Sequence, residues 1–596
     1  MCCIIMKKIK VNIRNSAYDS WEFTQDEIKI DIPNLIPSKH KLLQDDIILI
    51  NDYENPVVVI VDSPFRDALL AGVRVLNKTF GRINRRLLYK CIPDNRALPA
   101  FLVPYDVVAS FSKSVKNKYI VFRFQNWDDE HPHGEIKETL GDVDSIEVFN
   151  EYQLWRKNLN VSLSQFSNAS RSLIKRTGND EAIYIKNILE ISKYNIEDYR
   201  RFGNVFTIDP ISCTDFDDAF SVTLEDNYAT VNVYIANVYV WLETYELWNH
   251  MTNRVSTIYL PDKKRPMLPP LLSDTLCSLK QGRDRFAFMM SIKYDMSTNL
   301  QVGETVYKNV LIRVAKNYDY EDPSLVHNPA YKVLRTLVST SDSHDVVAYW
   351  MIKMNTECAE YLKKRKQGVF RCASELLSTL ESSSTLESSS TLESSSTLES
   401  SSTLESSSTL ESSSTPELLS TPESSYGLTI KNWLGNNGSS ASYSLVSRPH
   451  SQLAVESYVH ITSPIRRLVD ILNQIQFMKL MGTEISDSCD TFLKTWLNKL
   501  DFVNRATKDI RKTQMDCELL ALSGQLINKE LTGVLFDRNE KDNGRYEYTV
   551  YIEKLKLMSR VKLPIYIENF VEGKFRIFVF NDENRLCKKI RLQMIE

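Results

Sequence analysis

No run of about 18 apolar residues occurs in this chain, so the sequence offers no helix that could cross a bilayer. It does not open with a charged segment, an apolar core and a small-residue cleavage site, and it lacks a C-terminal prenylation box. A Met-Cys start, where myristoylation needs Met-Gly, excludes that modification as well. No membrane partner is expected. The ten cysteines are scattered and contain no C-x-x-C pair to hold zinc. They read as reduced thiols of an intracellular protein, cytoplasmic or nuclear. Residues 374–426 contain nine Glu but no Lys or Arg. The formal net charge of −3 therefore conceals a remainder of +6, which leaves room for a nucleic-acid partner.

A hydrophobic content of 43% with 25% charged residues is ordinary for folded protein, and 596 residues allow three to five domains. Residues 1–105 alternate short β-rich runs (Ile28–Ile32, Ile47–Ile50, Pro56–Val61, Leu87–Ile92) with turn residues, a spacing that suits a small barrel. Basic clusters recur at Arg82, Arg85 and Arg86, at Lys263, Lys264 and Arg265, and at Arg466 and Arg467. Taken singly these are solvated faces; together they permit phosphate tracking. From Thr379 to Thr421 the hexamer SSSTLE recurs, a period no solenoid uses. Serine-rich filler of this kind cannot bury enough surface to offset chain entropy, so residues 374–426 are expected to be a disordered insertion.

The most informative stretch is TIDPISCTDFDDAF, which sets Asp209, Asp215, Asp217 and Asp218 within ten positions. Val205, Phe206 and Ile208 ahead of it read as a strand that Pro210 ends, and Ala219–Val222 with Ala229–Val240 read as a following hairpin. Carboxylates this close repel and lose their charge unless a cation compensates. An all-oxygen set suits a hard ion, Mg²⁺ or Mn²⁺. A calcium EF-hand does not fit, since its loop glycine and closing glutamate are missing. The blander reading is a solvated acidic turn.

In letter order this stretch resembles the catalytic signature of the RNB exoribonucleases, the ribonuclease II / ribonuclease R family with its exosome-associated eukaryotic branch, which spaces its acids in the same way. STIYLPDKKRPMLPPLLSDTLCSLKQGRDR (256–285) and YVHITSPIRRLVD (458–470) resemble the family's next two landmarks, in the right order. The resemblance implies a multidomain α+β chain: cold-shock-like OB barrels at 1–105 and 106–175, an RNB catalytic domain at 176–528 carrying the insertion, and a C-terminal OB-type barrel at 529–596. It implies a processive 3′→5′ exoribonuclease that hydrolyses single-stranded RNA to nucleoside 5′-monophosphates. The expected unit is monomeric, and a larger RNA-decay complex could recruit it. The family's PIN nuclease is not in this sequence, so catalysis is expected from the RNB region.

On that resemblance Asp209, Asp215, Asp217 and Asp218 hold one or two Mg²⁺ ions, and Mn²⁺ is an alternative. Arg466 neutralises transition-state charge, Arg467 grips phosphate, Tyr259 packs on the 3′-terminal nucleotide and Tyr318 lines the channel. Ser463-Pro464 is expected to start a helix near Ile465, aiming both arginines at an anion. The chain departs from the family at Tyr234 and Asn237 (usually His and Asp), at Ala348 and Tyr349 (usually an acidic pair), at Leu468, and at Gln474-Ile475 (usually His-Arg). The departures at Ala348, Tyr349 and Gln474 keep open a second reading, an RNA-binding protein whose nuclease activity has lapsed; a third is a structure-specific DNA nuclease.

Overall fold

The computed structural model describes residues 6–595 except 55, 106–115, 176–179, 202–203, 374–429, 431–432, 434–440, 527–528, 542–543, 556 and 583–586. The hexamer repeat lies outside the described residues.

The chain forms four successive sheet systems. The first is an antiparallel sheet of β1 (Lys7–Ile13), β2 (Trp21–Gln25), β3 (Ile28–Ile30), β4 (Ile47–Ile50) and β5 (Val58–Asp62), in the order β3-β2-β1-β4-β5. The second is a closed barrel of β6 (Leu69–Ile83), β7 (Arg86–Pro93), β8 (Phe101–Tyr105), β9 (Lys118–Asn126) and β10 (His133–Asp142). This barrel runs straight across the boundary expected at 105/106. The physical reason is β6: its fifteen residues pair with β7 along one edge and β9 along the other, tying 69–105 to 118–142. The unit at the N-terminus therefore closes by Asp62. Of the aromatics in this barrel, Tyr89 and Trp127 are buried, and Phe124 lies half-buried under the Arg66 guanidinium at 4.5 Å.

The central sheet contains β11 (Ile196–Asp198), β12 (Val205–Asp209), β13 (Asp218–Glu225), β14 (Tyr228–Ala236), β17 (Asp284–Asp295) and β18 (Leu300–Asp319), with the short ribbon β15 (Ile258–Tyr259) and β16 (Lys264–Arg265) between. β18 is twenty residues long. It pairs with β17 from Leu300 to Arg313 and with β12 from Val314 to Asp319, so the sheet curls back on itself. Val205 to Ile208 are all buried, as a strand covered on both faces requires. The hairpin is shorter than its apolar run suggested. β14 stops at Ala236, and Val238–Thr244 is a helix, because the Asn237 carboxamide oxygen accepts from Val240 N at 3.2 Å and caps it.

A helix at Leu468–Leu480 runs through the middle of this domain, and every residue from Leu468 to Met478 is buried. Its polar residues stitch loops together: Asn473 donates to Val369 O and His460 O and accepts from Val369 N, and Gln474 donates to Ala236 O at 2.9 Å. The helix begins three residues later than expected. Pro464 to Arg466 form a turn, and the Arg466 carbonyl accepts from Thr257 N at 2.9 Å instead of opening the helix. Around this core lie helices at Ser343–Lys364, Asp487–Leu497 and Leu500–Leu526. β19 (Phe370–Cys372) and β20 (Ser442–Ser444) pair antiparallel, so the chain leaves toward the repeat and returns on neighbouring strands. The fourth system is an antiparallel sheet, β21 (Leu531–Lys541), β22 (Arg545–Ile552), β23 (Leu557–Leu563), β24 (Val571–Asp582) and β25 (Cys587–Met594), in the order β23-β22-β21-β24-β25. Among the described residues, no helix is long and apolar enough to cross a membrane.

Candidate functional site

The acidic bend is held in place from the residues upward. Asp209 ends β12 and Asp218 begins β13. Between them, Cys213 N bonds back to Pro210 O, Phe216 N donates to Ser278 Oγ at 3.0 Å, and Leu279 N donates to Phe216 O. Ala236 N donates to Asp217 O at 2.8 Å. The bend is thus pinned by the 256–285 segment on one side and the end of β14 on the other. It lines a cavity of about 660 Å³ containing all four aspartates with Tyr259, Lys264, Tyr320, Asn355, Arg466 and Arg467. A second cavity of about 400 Å³ shares Tyr259, Arg466 and Arg467 and runs along the Leu500–Leu526 helix to Met558.

The carboxylates occupy distinct environments. Asp217 is 3% exposed; its Oδ1 accepts from Ile465 N at 2.9 Å and its Oδ2 faces Arg466 Nε at 3.3 Å. Burial pushes its pKa up to about 8, against the pull of Arg466 and the Ile465 N–H. Burial also pushes Asp209 up to about 6. It raises Asp218 well above the carboxylate range, with the neighbouring Asp209 and Asp217 adding to the effect. Asp209, Asp217 and Asp218 each bury an Oδ2 that has no hydrogen-bond partner. Asp215 differs: Tyr259 OH donates to its Oδ2 at 3.1 Å and Lys264 Nζ to its Oδ1 at 2.9 Å.

Buried carboxylate oxygens without hydrogen bonds are costly and call for a cation, which Arg466 supplies to Asp217. Among the described residues, no group of three or more His, Cys, Asp or Glu side chains is placed to hold a metal ion, so an ion here would take fewer protein carboxylates. An open set of this kind fits Mg²⁺ or Mn²⁺, which keep several waters and take few protein carboxylates alongside phosphate oxygens. It does not fit a structural zinc site.

The arginines separate. Arg466 is 44% exposed at its side chain, with its guanidinium between Asp217 and the cavity. Arg467 instead pairs with Asp470, its Nε at 3.0 Å from Oδ2 and an Nη at 3.0 Å from Oδ1. Its expected grip on phosphate gives way to this buried ion pair, because Asp470 sits one helical turn on and is fully enclosed. Tyr259 is 41% exposed, its ring on the cavity wall and its hydroxyl on Asp215. Tyr318 packs edge-on against Phe206 at 5.8 Å, away from the cavity. The aromatic that lines the cavity is Tyr320, stacked on His344 at 3.9 Å and bonded from its main-chain N to Asp209 O. β18 ends at Asp319, and the turn there reorients the second tyrosine of KNYDYED. Both tyrosines stand in the sequence; only the strand end tells them apart. Lys264 was legible only as one of a basic triplet. Of that triplet, Arg265 is committed to Asp262 and Glu151.

The departing positions fill structural places. Tyr234 OH meets Ser221 Oγ in the core, and Asn237 caps a helix. Ala348 is buried, and Tyr349 lies edge-on to Trp350 at 5.3 Å. The Ser343–Lys364 helix presents Val347, Met351 and Asn355 to the cavity. His460 is buried, hydrogen-bonded to Tyr443 OH at 2.7 Å.

The RNB domain model matches residues 196–332 and 326–482. The chain is 26% identical over 296 residues to the human exosome complex exonuclease RRP44, covering 49% of this chain and 28% of that protein. It is 37% identical over 128 residues to ribonuclease R of Aquifex aeolicus, covering 21% of this chain and 18% of that protein. The matched region thus spans less than a third of these relatives. In fold it superposes on Mycoplasma genitalium RNase R, solved in complex with ribose methylated single-stranded RNA, with a TM-score of 0.62 at 17% identity over 98% of this chain and all of that one. Yeast Ssd1, a pseudonuclease, superposes with a TM-score of 0.53 at 13% identity over 96% of this chain and 81% of that one. The curled central sheet, the acidic bend and the buried helix behind it all lie within residues 196–482, the part of the chain that matches the RNB domain model.

Proposed function

We propose that this chain is a metal-dependent exoribonuclease that hydrolyses single-stranded RNA from its 3′ end, processively, to nucleoside 5′-monophosphates. The observation that carries it is the gathering of three buried carboxylates with Arg466 in one cavity of an RNB domain: Asp209, Asp217 and Asp218 each keep an Oδ2 without a hydrogen bond, and that of Asp217 is ion-paired with Arg466. The names of the relatives, exonuclease and ribonuclease R, supply the direction of the reading.

Carboxylates from among Asp209, Asp217 and Asp218 would hold Mg²⁺ or Mn²⁺. Such an ion supplies Lewis acidity toward phosphate and a water of lowered pKa. Arg466, fixed by Asp217 and by an Nη donated to Ser463 Oγ at 3.1 Å, is preorganised to offset charge developing on the phosphate. The half-exposed Tyr259 ring offers a face to the terminal base, and its hydroxyl bond to Asp215 keeps that face still. The apolar wall from Val347 and Met351 excludes water from one side.

The test is one incubation of purified protein with 5′-labelled single-stranded RNA and Mg²⁺, with and without chelator. A ladder shortening from the 3′ end, abolished by chelator, is expected. Intact RNA in both arms would overturn the reading. Such a result would favour an RNA-binding role on this scaffold, the one specific observation for which is that the Ser343–Lys364 helix brings no carboxylate to the cavity. A DNA arm of the same assay reads sugar selectivity. Recruitment by a larger RNA-decay complex would be read by co-purification.

A further inference from the structure

The second cavity, of about 400 Å³, holds an unpaired charge. Thr507, Arg511 and Gln514 fall at i, i+4 and i+7 of the Leu500–Leu526 helix, so one helical face lines it. Arg511 is 9% exposed, its Nε is buried without a hydrogen-bond partner, and no ion pair engages it among the described residues. Burial pushes its pKa down to about 10; Arg560 and Arg371 add to this and Asp537 opposes it. An enclosed guanidinium that no carboxylate pairs is costly until an anion joins it. Three residues on, about 4.5 Å along the helix, Gln514 Oε1 accepts from Tyr259 N at 3.2 Å. The unpaired charge therefore stands beside the ribbon that carries the Tyr259 ring. Another part of the wall is Trp433. Its half-buried ring meets Phe536 edge-on at 5.3 Å, and Ile430, 1% exposed, packs against Val534 and Phe536 of β21. Ile430 is the first described residue after the hexamer repeat, so the described chain resumes at this cavity. Trp433 lines the space without filling it.

We propose that Trp433, supplied by the stretch that follows the repeat, is a second stacking face for RNA beside that of Tyr259, and that Arg511 holds a backbone phosphate between them. The proposal deepens the reading above and takes its substrate class from it. A volume of about 400 Å³ is within the range of small-ligand pockets, enough for one nucleotide unit. The cavity shares Tyr259 and Arg466 with the one that holds the aspartates, so a single strand can occupy both. Aromatic faces set around a cation grip a single strand without regard to its sequence. The contrary reading of Trp433 is a plug, and it has the opposite sign: removing a plug tightens RNA binding, whereas removing a stacking face weakens it.

Binding is measured in chelator, so that no chemistry enters. The full chain and its variants are titrated into labelled single-stranded RNA of about ten nucleotides and followed by anisotropy over a range of salt. Trp433→Leu, which keeps an apolar contact with Phe536, is expected to weaken binding about ten-fold, and Trp433→Phe to restore most of it. Arg511→Met is expected to weaken binding by a similar factor and to lower the slope of log K against log salt by about 0.7. Without RNA, Arg511→Met should melt no lower than wild type, since it removes an unpaired buried charge. Either variant within about two-fold of wild type, tighter binding by Trp433→Leu, an unchanged salt slope, or a lower melting temperature for Arg511→Met each overturn the proposal. A wild type that binds no RNA sinks instead the substrate reading on which it rests. Should Trp433→Leu fail to fold, RNA-induced fluorescence quenching is compared between wild type and Trp433→Phe, and equal quenching overturns the proposal.

Discussion

Replacing Asp217 by Asn should give a protein that is inactive yet, without metal, more stable than the parent. Asp217 is 3% exposed and its pKa is pushed up to about 8, above the ordinary 3.8. A group raised in this way binds a proton in the folded chain that the unfolded chain releases. Its effect is absent below pH 3.8, lowers stability progressively as pH rises from 3.8 to about 8, and is complete above that. At pH 7 the span of about three pKa units corresponds to a destabilisation on the order of 4 kcal/mol. Asp209, raised to about 6, adds a fall over a narrower window, and Asp218 acts in the same direction. An amide oxygen can still accept the Ile465 N–H, but the variant carries no charge to desolvate and offers a cation only a neutral oxygen. In chelator, wild-type melting temperature should drop by several degrees between pH 5 and pH 8, while Asp217→Asn falls less and melts higher at pH 7.5. Mg²⁺ should raise the wild-type value more at pH 8 than at pH 5.5, because ion and protons compete for the same oxygens, and should barely move the variant. RNA binding should stay within a few-fold while trimming is lost. A metal-free variant less stable than wild type at pH 7.5, or one that still trims RNA, would refute this reasoning.

Three further outcomes follow from the same geometry. Arg466→Ala should lower kcat about 10²–10³-fold with little change in KM, as loss of one preorganised donor does; single-turnover assays separate the two, and a pure affinity loss would assign Arg466 to backbone binding. Tyr259→Ala should weaken retention of the terminal nucleotide by about 1–3 kcal/mol, seen as distributive products in a trap experiment; unchanged processivity would remove the ring from substrate contact. Asn473→Leu should cost about 2–4 kcal/mol of stability in denaturant melts, since it strands the buried Val369 N–H and two carbonyls; a neutral result would mean the loop re-pairs.

Much of the site was legible because it is written locally. Four aspartates after an apolar strand stopped by Pro210 can hardly be placed other than on a bend at a sheet's end, and the structure sets them there. The misplacements lie where a distant partner decides. The 105/106 boundary failed because β6 recruits β9 across it. Val238–Val240 read as strand by its β-branched residues, yet Asn237 as a cap outweighed that preference.

The sequence by itself determined the carboxylate set, the arginine beside a Ser-Pro turn and the aromatic of the LPD run, because each depends on residue types at short spacing along the chain. Only the tertiary structure decided which of them remain available to a ligand. Asp215 is closed off by Lys264 from 49 positions away, Arg467 is taken by Asp470, and Tyr320 reaches the cavity where Tyr318 does not. Those outcomes turn on distances of a few ångströms between segments that meet only in the folded chain, where burial fixes which charge is paired and which is left bare.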